Sequence, residues 1–162
     1  MVPEFIMLIG LPGCGKSTII KLIREVKPHQ EYVVTSSDNM IMEYAARNNL
    51  NYREAHDALD PIVLRNMLIE QAAELFSRNM SIINDQTNLN DDIRKAKLAM
   101  VPQHYIKRAV VIKKPIDVIL RQQNSLERLA QGKTIPSEVM NKMISEFTDP
   151  DPKDFDEIVV VQ

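Results

Sequence analysis

The octapeptide Gly10-Leu11-Pro12-Gly13-Cys14-Gly15-Lys16-Ser17, followed by Thr18, constrains this chain more than any other stretch. It satisfies G-x-x-x-x-G-K-[ST] at every fixed position. Three of the chain's four glycines fall inside it. Glycine is needed where a backbone takes positive φ or approaches a ligand closely. An apolar run from Phe5 to Ile9 precedes the loop, and an amphipathic stretch from Lys16 to about Glu25 follows it. Strand, glycine turn and helix in that order form a cradle for phosphate. Successive backbone N–H groups turn inward, and the helix N-terminus adds partial positive charge. In such a loop Lys16 reaches the β- and γ-phosphates, and the Ser17 hydroxyl completes the shell of a Mg²⁺ ion. Gly10 to Thr18 are therefore the expected nucleotide-binding segment, with ATP and Mg²⁺ as expected ligands. Cys14 reads as a small filler, or as an alkylation site if the helix N-terminus lowers its thiol pKa.

The remainder alternates short β-branched runs with longer amphipathic stretches, the pattern of an α/β fold with a parallel sheet. Strands are expected at Phe5–Ile9, Tyr32–Thr35, Ser81–Asn84, Arg108–Ile112 and Ile158–Val161. Helices are expected after the phosphate loop, from Ser36–Asn39 to Arg47, from Asp60-Pro61, and from Asp91 to about Met100. Two more are expected, one from Pro115 through Arg121 to about Arg128 and one from Pro136 to near Phe147. No repeat or linker interrupts the pattern, so residues 1–162 are expected to form a single domain.

Composition narrows the class. With 44% apolar and 26% charged residues in 162, the chain can bury a core without a disulfide or metal staple. No apolar run approaches the length of a membrane span. The single cysteine cannot form an intrachain disulfide, and no basic region precedes the first apolar run, so an intracellular location is expected. His29, His56 and His104 have no zinc-ligand spacing. A net charge of −2 does not point to nucleic acid, although a local basic groove would be compatible with it.

In a parallel α/β sheet the strand C-termini share one edge, and ligands bind there. Asp38 follows the second strand and reads either as a general base for an acceptor hydroxyl or, with Ser36 and Ser37, as a helix cap. Asp85 follows Ile82-Ile83-Asn84 and reads as a Mg²⁺-supporting carboxylate or as a turn initiator. Thr87 and Asn88 orient either the acceptor or their own loop. Arg121, Arg128 and Lys133, with the turn at Gly132, read as a cationic lid or as solvated surface. No Asn-Lys-x-Asp guanine reader is present, so a small kinase is the better reading. Arg94, Lys95, Lys97, Lys107, Arg108, Lys113 and Lys114 offer modest support for a polymeric acceptor.

Taken together, the phosphate loop, Ser36-Ser37-Asp38-Asn39, Asn84-Asp85-Gln86-Thr87-Asn88 and the lid helix resemble the polynucleotide 5′-kinases. The order is that of the phage enzyme and of the animal end-repair kinase module. Asp85-Gln86-Thr87-Asn88, Gly132-Lys133 ahead of Pro136, and Phe155-Asp156-Glu157-Ile158 also resemble the kinase-like domain of heterogeneous nuclear ribonucleoprotein U. The resemblance implies a five-stranded parallel sheet in the order 2-3-1-4-5. It also implies transfer of the γ-phosphate of ATP to the 5′-hydroxyl of DNA or RNA by a stand-alone kinase. Asp38 would be the base, Lys16 and Ser17 would hold phosphate and metal, and Arg121 or Arg128 would be the lid cation. Two departures stand out. Ile41 occupies the position of a substrate-gripping arginine, and Gln86 that of an acid. The alternatives are a kinase for a nucleoside, nucleotide or other small alcohol, and a non-catalytic nucleotide-gated RNA-binding module.

Overall fold

The computed structural model describes residues 1–162. Five parallel strands form one sheet: β1 (Glu4–Ile9), β2 (Tyr32–Ser36), β3 (Ser81–Asp85), β4 (Ile106–Ile112) and β5 (Glu157–Val161). Their order is β2-β3-β1-β4-β5, the order that the resemblance implies. All six residues of β1 are buried, as a central strand covered on both faces requires.

Eight helices surround the sheet: α1 (Lys16–Val26), α2 (Ser37–Arg47), α3 (Tyr52–Ala58), α4 (Pro61–Ser77), α5 (Asp91–Leu98), α6 (Ile116–Gln123), α7 (Leu126–Ala130) and α8 (Ser137–Glu146). The period-two alternation of β1 divides the core. Phe5, Met7 and Ile9 pack with Leu75 and Phe76 of α4 and Leu98 of α5. Ile6 and Leu8 face the other way, onto Ile19, Ile20 and Ile23 of α1. Each fully buried side chain of this kind contributes about 1.5–3 kcal/mol. No helix is long and apolar enough to cross a membrane.

Three elements differ from the sequence reading. β4 begins at Ile106, two residues before Arg108, because its pairing with β1 extends back to Glu4. The helix expected from Pro115 to Arg128 is broken. α6 stops at Gln123, and the Ser125 hydroxyl caps α7 by accepting from the Arg128 N–H at 3.3 Å. α3 has no counterpart among the helices expected from the sequence, yet a capping box writes its start. Asn51 accepts from the Glu54 N–H at 2.8 Å, and the Glu54 carboxylate accepts from the Asn51 N–H at 2.9 Å.

Candidate active site

The phosphate loop is built from both ends. Gly13 and Gly15 take φ of 81° and 103°, values that a side chain would strain. Gly15 precedes α1 without any side-chain cap, so the first N–H groups of that helix are free to meet an anion. A Cβ on Gly10 would stand 2.5 Å from the Cys14 sulfur, so this position must lack one. Leu11 and Cys14 point into a core with Leu89, Ile112, Ile119 and Met140. Cys14 is 1% exposed, and burial pushes its thiol pKa up against the opposing Lys16 charge. The thiol is therefore the filler of the two readings. The activation expected of a helix N-terminus is overridden by desolvation.

Lys16 lies back along its own loop. Its ammonium donates to the carbonyls of Gly10 at 2.9 Å and Leu11 at 3.2 Å. Ser17 and Thr18 are exposed at the start of α1. The loop after β3 props up the cradle. Thr87 contributes its carbonyl, which accepts from the Gly10 N–H at 3.1 Å. Asn88 is 1% exposed, and its amide donates to Leu8 O at 2.7 Å, Asn84 Oδ1 at 2.9 Å and Gln86 O at 3.2 Å. Of the two roles that the sequence leaves open for Asn88, the structure uses the internal one. From the lid side, Gln123 is 4% exposed and donates to Pro12 O at 2.9 Å.

Asp85 ends β3 opposite Ser36 of β2. Burial pushes its carboxyl pKa up, the Lys16 charge pulls it down, and the Asp38 charge pushes it up again. The Asp85 carboxylate thus lies within reach of the Lys16 ammonium and of the Asp38 carboxylate. The Asp85 carboxylate and the exposed Ser17 hydroxyl are oxygen donors of the kind that Mg²⁺ prefers. Asp38 is exposed in the first turn of α2. It does not cap that helix, because Ser36 does, accepting from the Asn39 N–H at 3.3 Å. Instead Asp38 Oδ1 accepts from the Tyr52 hydroxyl at 2.6 Å.

Beneath the turn from β2 into α2 runs a polar bed. Asn84 donates to Thr35 Oγ1 at 3.2 Å, and Gln86 donates to Ser37 Oγ at 2.8 Å. Lys97 donates to Gln86 Oε1 at 2.5 Å and to Asn88 Oδ1. Gln86 stands where the resemblance would put an acid, so this ammonium is bonded to amide oxygens alone. Burial lowers its pKa to about 8.

The lid residues separate. Arg121 is 76% exposed by side chain and pairs with Asp117 at 3.1 Å. Arg128 is half-buried, donates to Lys133 O at 3.0 Å, and lies close enough for its charge to act on Tyr52. Ile41 is 2% exposed and packs with Ala45 and Ala55, so this position, where the resemblance would put an arginine, faces the core. Of the seven basic residues read as support for a polymeric acceptor, Arg94, Lys97, Arg108 and Lys113 are engaged within the chain, whereas Lys95 and Lys114 are exposed. Arg94 is 1% exposed and holds Asp91 at 2.6 Å and the Asn88 and Leu89 carbonyls at 2.9 and 3.0 Å. Arg108 pairs with Glu4 and Glu157, and Lys113 pairs with Asp149 at 2.8 Å. Sequence reasoning missed Tyr52, Gln123 and the internal use of Lys97. Only the first had a local signal, the Asn51–Glu54 box.

The chain is 24% identical over 161 residues to the human heterogeneous nuclear ribonucleoprotein U-like protein 2, covering 94% of this chain and 20% of that protein. It thus spans about a fifth of that relative's length. Among solved structures it is similar to a chain of the Pnkp1/Rnl/Hen1 RNA repair complex, at 18% identity and a TM-score of 0.68, covering 90% of this chain and 44% of that one. It is also similar to a gluconokinase from Sinorhizobium meliloti, at 14% identity and a TM-score of 0.56, covering 98% and 82% of the two chains. Both share its fold. The AAA domain model matches residues 5–150, from the first strand through the lid, and the chain belongs to that family of P-loop proteins.

Proposed function

We propose that this protein is an ATP-dependent kinase that transfers the γ-phosphate to an alcohol, with the 5′-hydroxyl end of DNA or RNA as acceptor. One observation carries the reading. Asp85 at the end of β3 feels the charges of both Lys16, at the start of α1, and Asp38, in the first turn of α2, while Ser36 relieves Asp38 of capping. The whole span 1–162 is read as one kinase domain.

Gly10 to Thr18 hold the triphosphate, with Lys16 on the β- and γ-phosphates. Ser17 and Asp85 would hold Mg²⁺, which when bound neutralises charge on the phosphate oxygens. Asp38 accepts the proton of the acceptor hydroxyl. The acceptor oxygen forms the new bond to the γ-phosphorus. The bond to the bridging oxygen breaks, and its electron pair leaves with ADP. Arg128 is the lid cation for charge that spreads over the transferring group. Thr87, between Asp85 and Asn88 in the chain, would contact the acceptor.

The polynucleotide acceptor is supported by the resemblance of the Asp85–Asn88 stretch and by the RNA repair complex among the structural relatives. A small alcohol is the second reading. It is favoured by the pairing of Arg108 and Lys113 with acids, the burial of Arg94 and the inward Ile41. The test offers γ-labelled ATP and Mg²⁺ with 5′-hydroxyl DNA, 5′-hydroxyl RNA, nucleosides, nucleoside monophosphates and sugars. Label in an oligonucleotide supports the polynucleotide reading. Label only in small acceptors moves the protein to the second reading. ATP binding without transfer to any acceptor leaves a non-catalytic module.

A further inference from the structure

Tyr52 opens α3 at a position fixed by the Asn51–Glu54 capping box. Its phenol donates to Asp38 Oδ1 at 2.6 Å. A hydroxyl donating to a carboxylate at that distance is the arrangement a general base offers its substrate. The phenol therefore stands where an acceptor hydroxyl, or a water, would stand. Burial pushes its pKa up, and the Asp38 hydrogen bond and charge push it further, so the proton stays on the phenol.

The lid holds the ring in place. Lys133 Nζ lies 5.3 Å from the ring centroid, within cation–π range, and 3.9 Å from the Met42 sulfur. Arg128 holds the Lys133 carbonyl at 3.0 Å, and a Cβ on Gly132 would lie 3.6 Å from the Cβ of Arg53, the next residue of α3. Lid turn, phenol and carboxylate form one contiguous stack.

We propose that Tyr52 is a positioning residue that guards Asp38 against water. The inference rests on Asp38 being the base of the kinase reading. Without a guard, an exposed carboxylate beside bound ATP would take a proton from water. The water oxygen would bond to the γ-phosphorus as the bridging P–O bond breaks, and ADP and phosphate would leave. The phenol occupies Oδ1 of that carboxylate, where a water would otherwise donate. A true acceptor displaces it with binding energy from the rest of its structure, which water lacks.

The test is Tyr52→Phe, which keeps the ring under Lys133 and removes only the hydroxyl. Acceptor-free ADP release should rise about tenfold, the KM for the acceptor should fall or hold, and ATP affinity should not change. Lys133→Met, which frees the ring from the lid, should move hydrolysis the same way by a smaller factor. A purely structural role would lower hydrolysis and transfer together. Transfer by the unmodified protein with unchanged hydrolysis in Tyr52→Phe overturns the guard and leaves the kinase reading intact. Label recovered on Tyr52 itself also overturns it, because the phenol is then an acceptor. Absence of transfer to every acceptor by both proteins overturns both readings.

Discussion

The side-chain amide of Asn88 donates to the carbonyl oxygen of Leu8 across 2.7 Å, tying the loop after β3 to the strand that delivers the phosphate cradle. Asn88 is buried and takes a φ of 50°, which asparagine tolerates better than most residues. Asn88→Ala leaves the Leu8 carbonyl without this donor and strains the backbone. Stability should fall by about 2 kcal/mol in a urea titration. ATP affinity should weaken as well, because Gly10 hangs from the neighbouring Thr87 carbonyl. Unchanged stability would show that the bond does not support the loop.

Lys97 gives a pH signature. Its folded pKa of about 8 lies below the unfolded value of about 10.4. Between those values the unfolded chain binds more protons, so this residue's contribution to stability rises with pH. Below about pH 8 the cost of the buried charge is fully present. Relative to Lys97→Met, the natural protein should gain about 2 kcal/mol between about pH 7 and about pH 10. Denaturant titrations at the two pH values check this, and a pH-independent difference contradicts it.

The lid arginines should behave unequally. Arg121 is an exposed partner of Asp117, a pairing of small energetic consequence. The Arg128 charge acts on Tyr52, the partner of Asp38. Arg128→Ala should lower kcat/KM for transfer by about a hundredfold or more, and Arg121→Ala by less than about fivefold. Steady-state kinetics on both variants decide the matter, and the reverse order would assign the lid cation to Arg121.

The sheet and the donor site were legible because their signals are local. The buried run Phe5–Ile9, the glycine turn and Lys16-Ser17 specify strand, cradle and helix within a dozen or so consecutive residues. The surroundings of Asp38 were harder to read because their relations are long-range. Tyr52 meets Asp38 from fourteen residues away, and Gln123 reaches Pro12 across 111. The basic residues misled for the same reason. Arg94 and Lys97 occur in a charged stretch, but the fold turns them under the Asp85–Asn90 loop, where they hold carbonyls and amides. The break after Gln123 turned on whether Ser125 would cap a new helix, which it does by accepting from the Arg128 N–H.

The central claim is that Asp38 accepts the proton of an alcohol that attacks bound ATP. The most direct measurement pairs ATP binding with single-turnover transfer in Asp38→Asn. The amide keeps the size of the side chain and cannot take the proton. ATP affinity should stay within about twofold while the transfer rate falls by about a thousandfold. Transfer at the natural rate in Asp38→Asn would contradict the account.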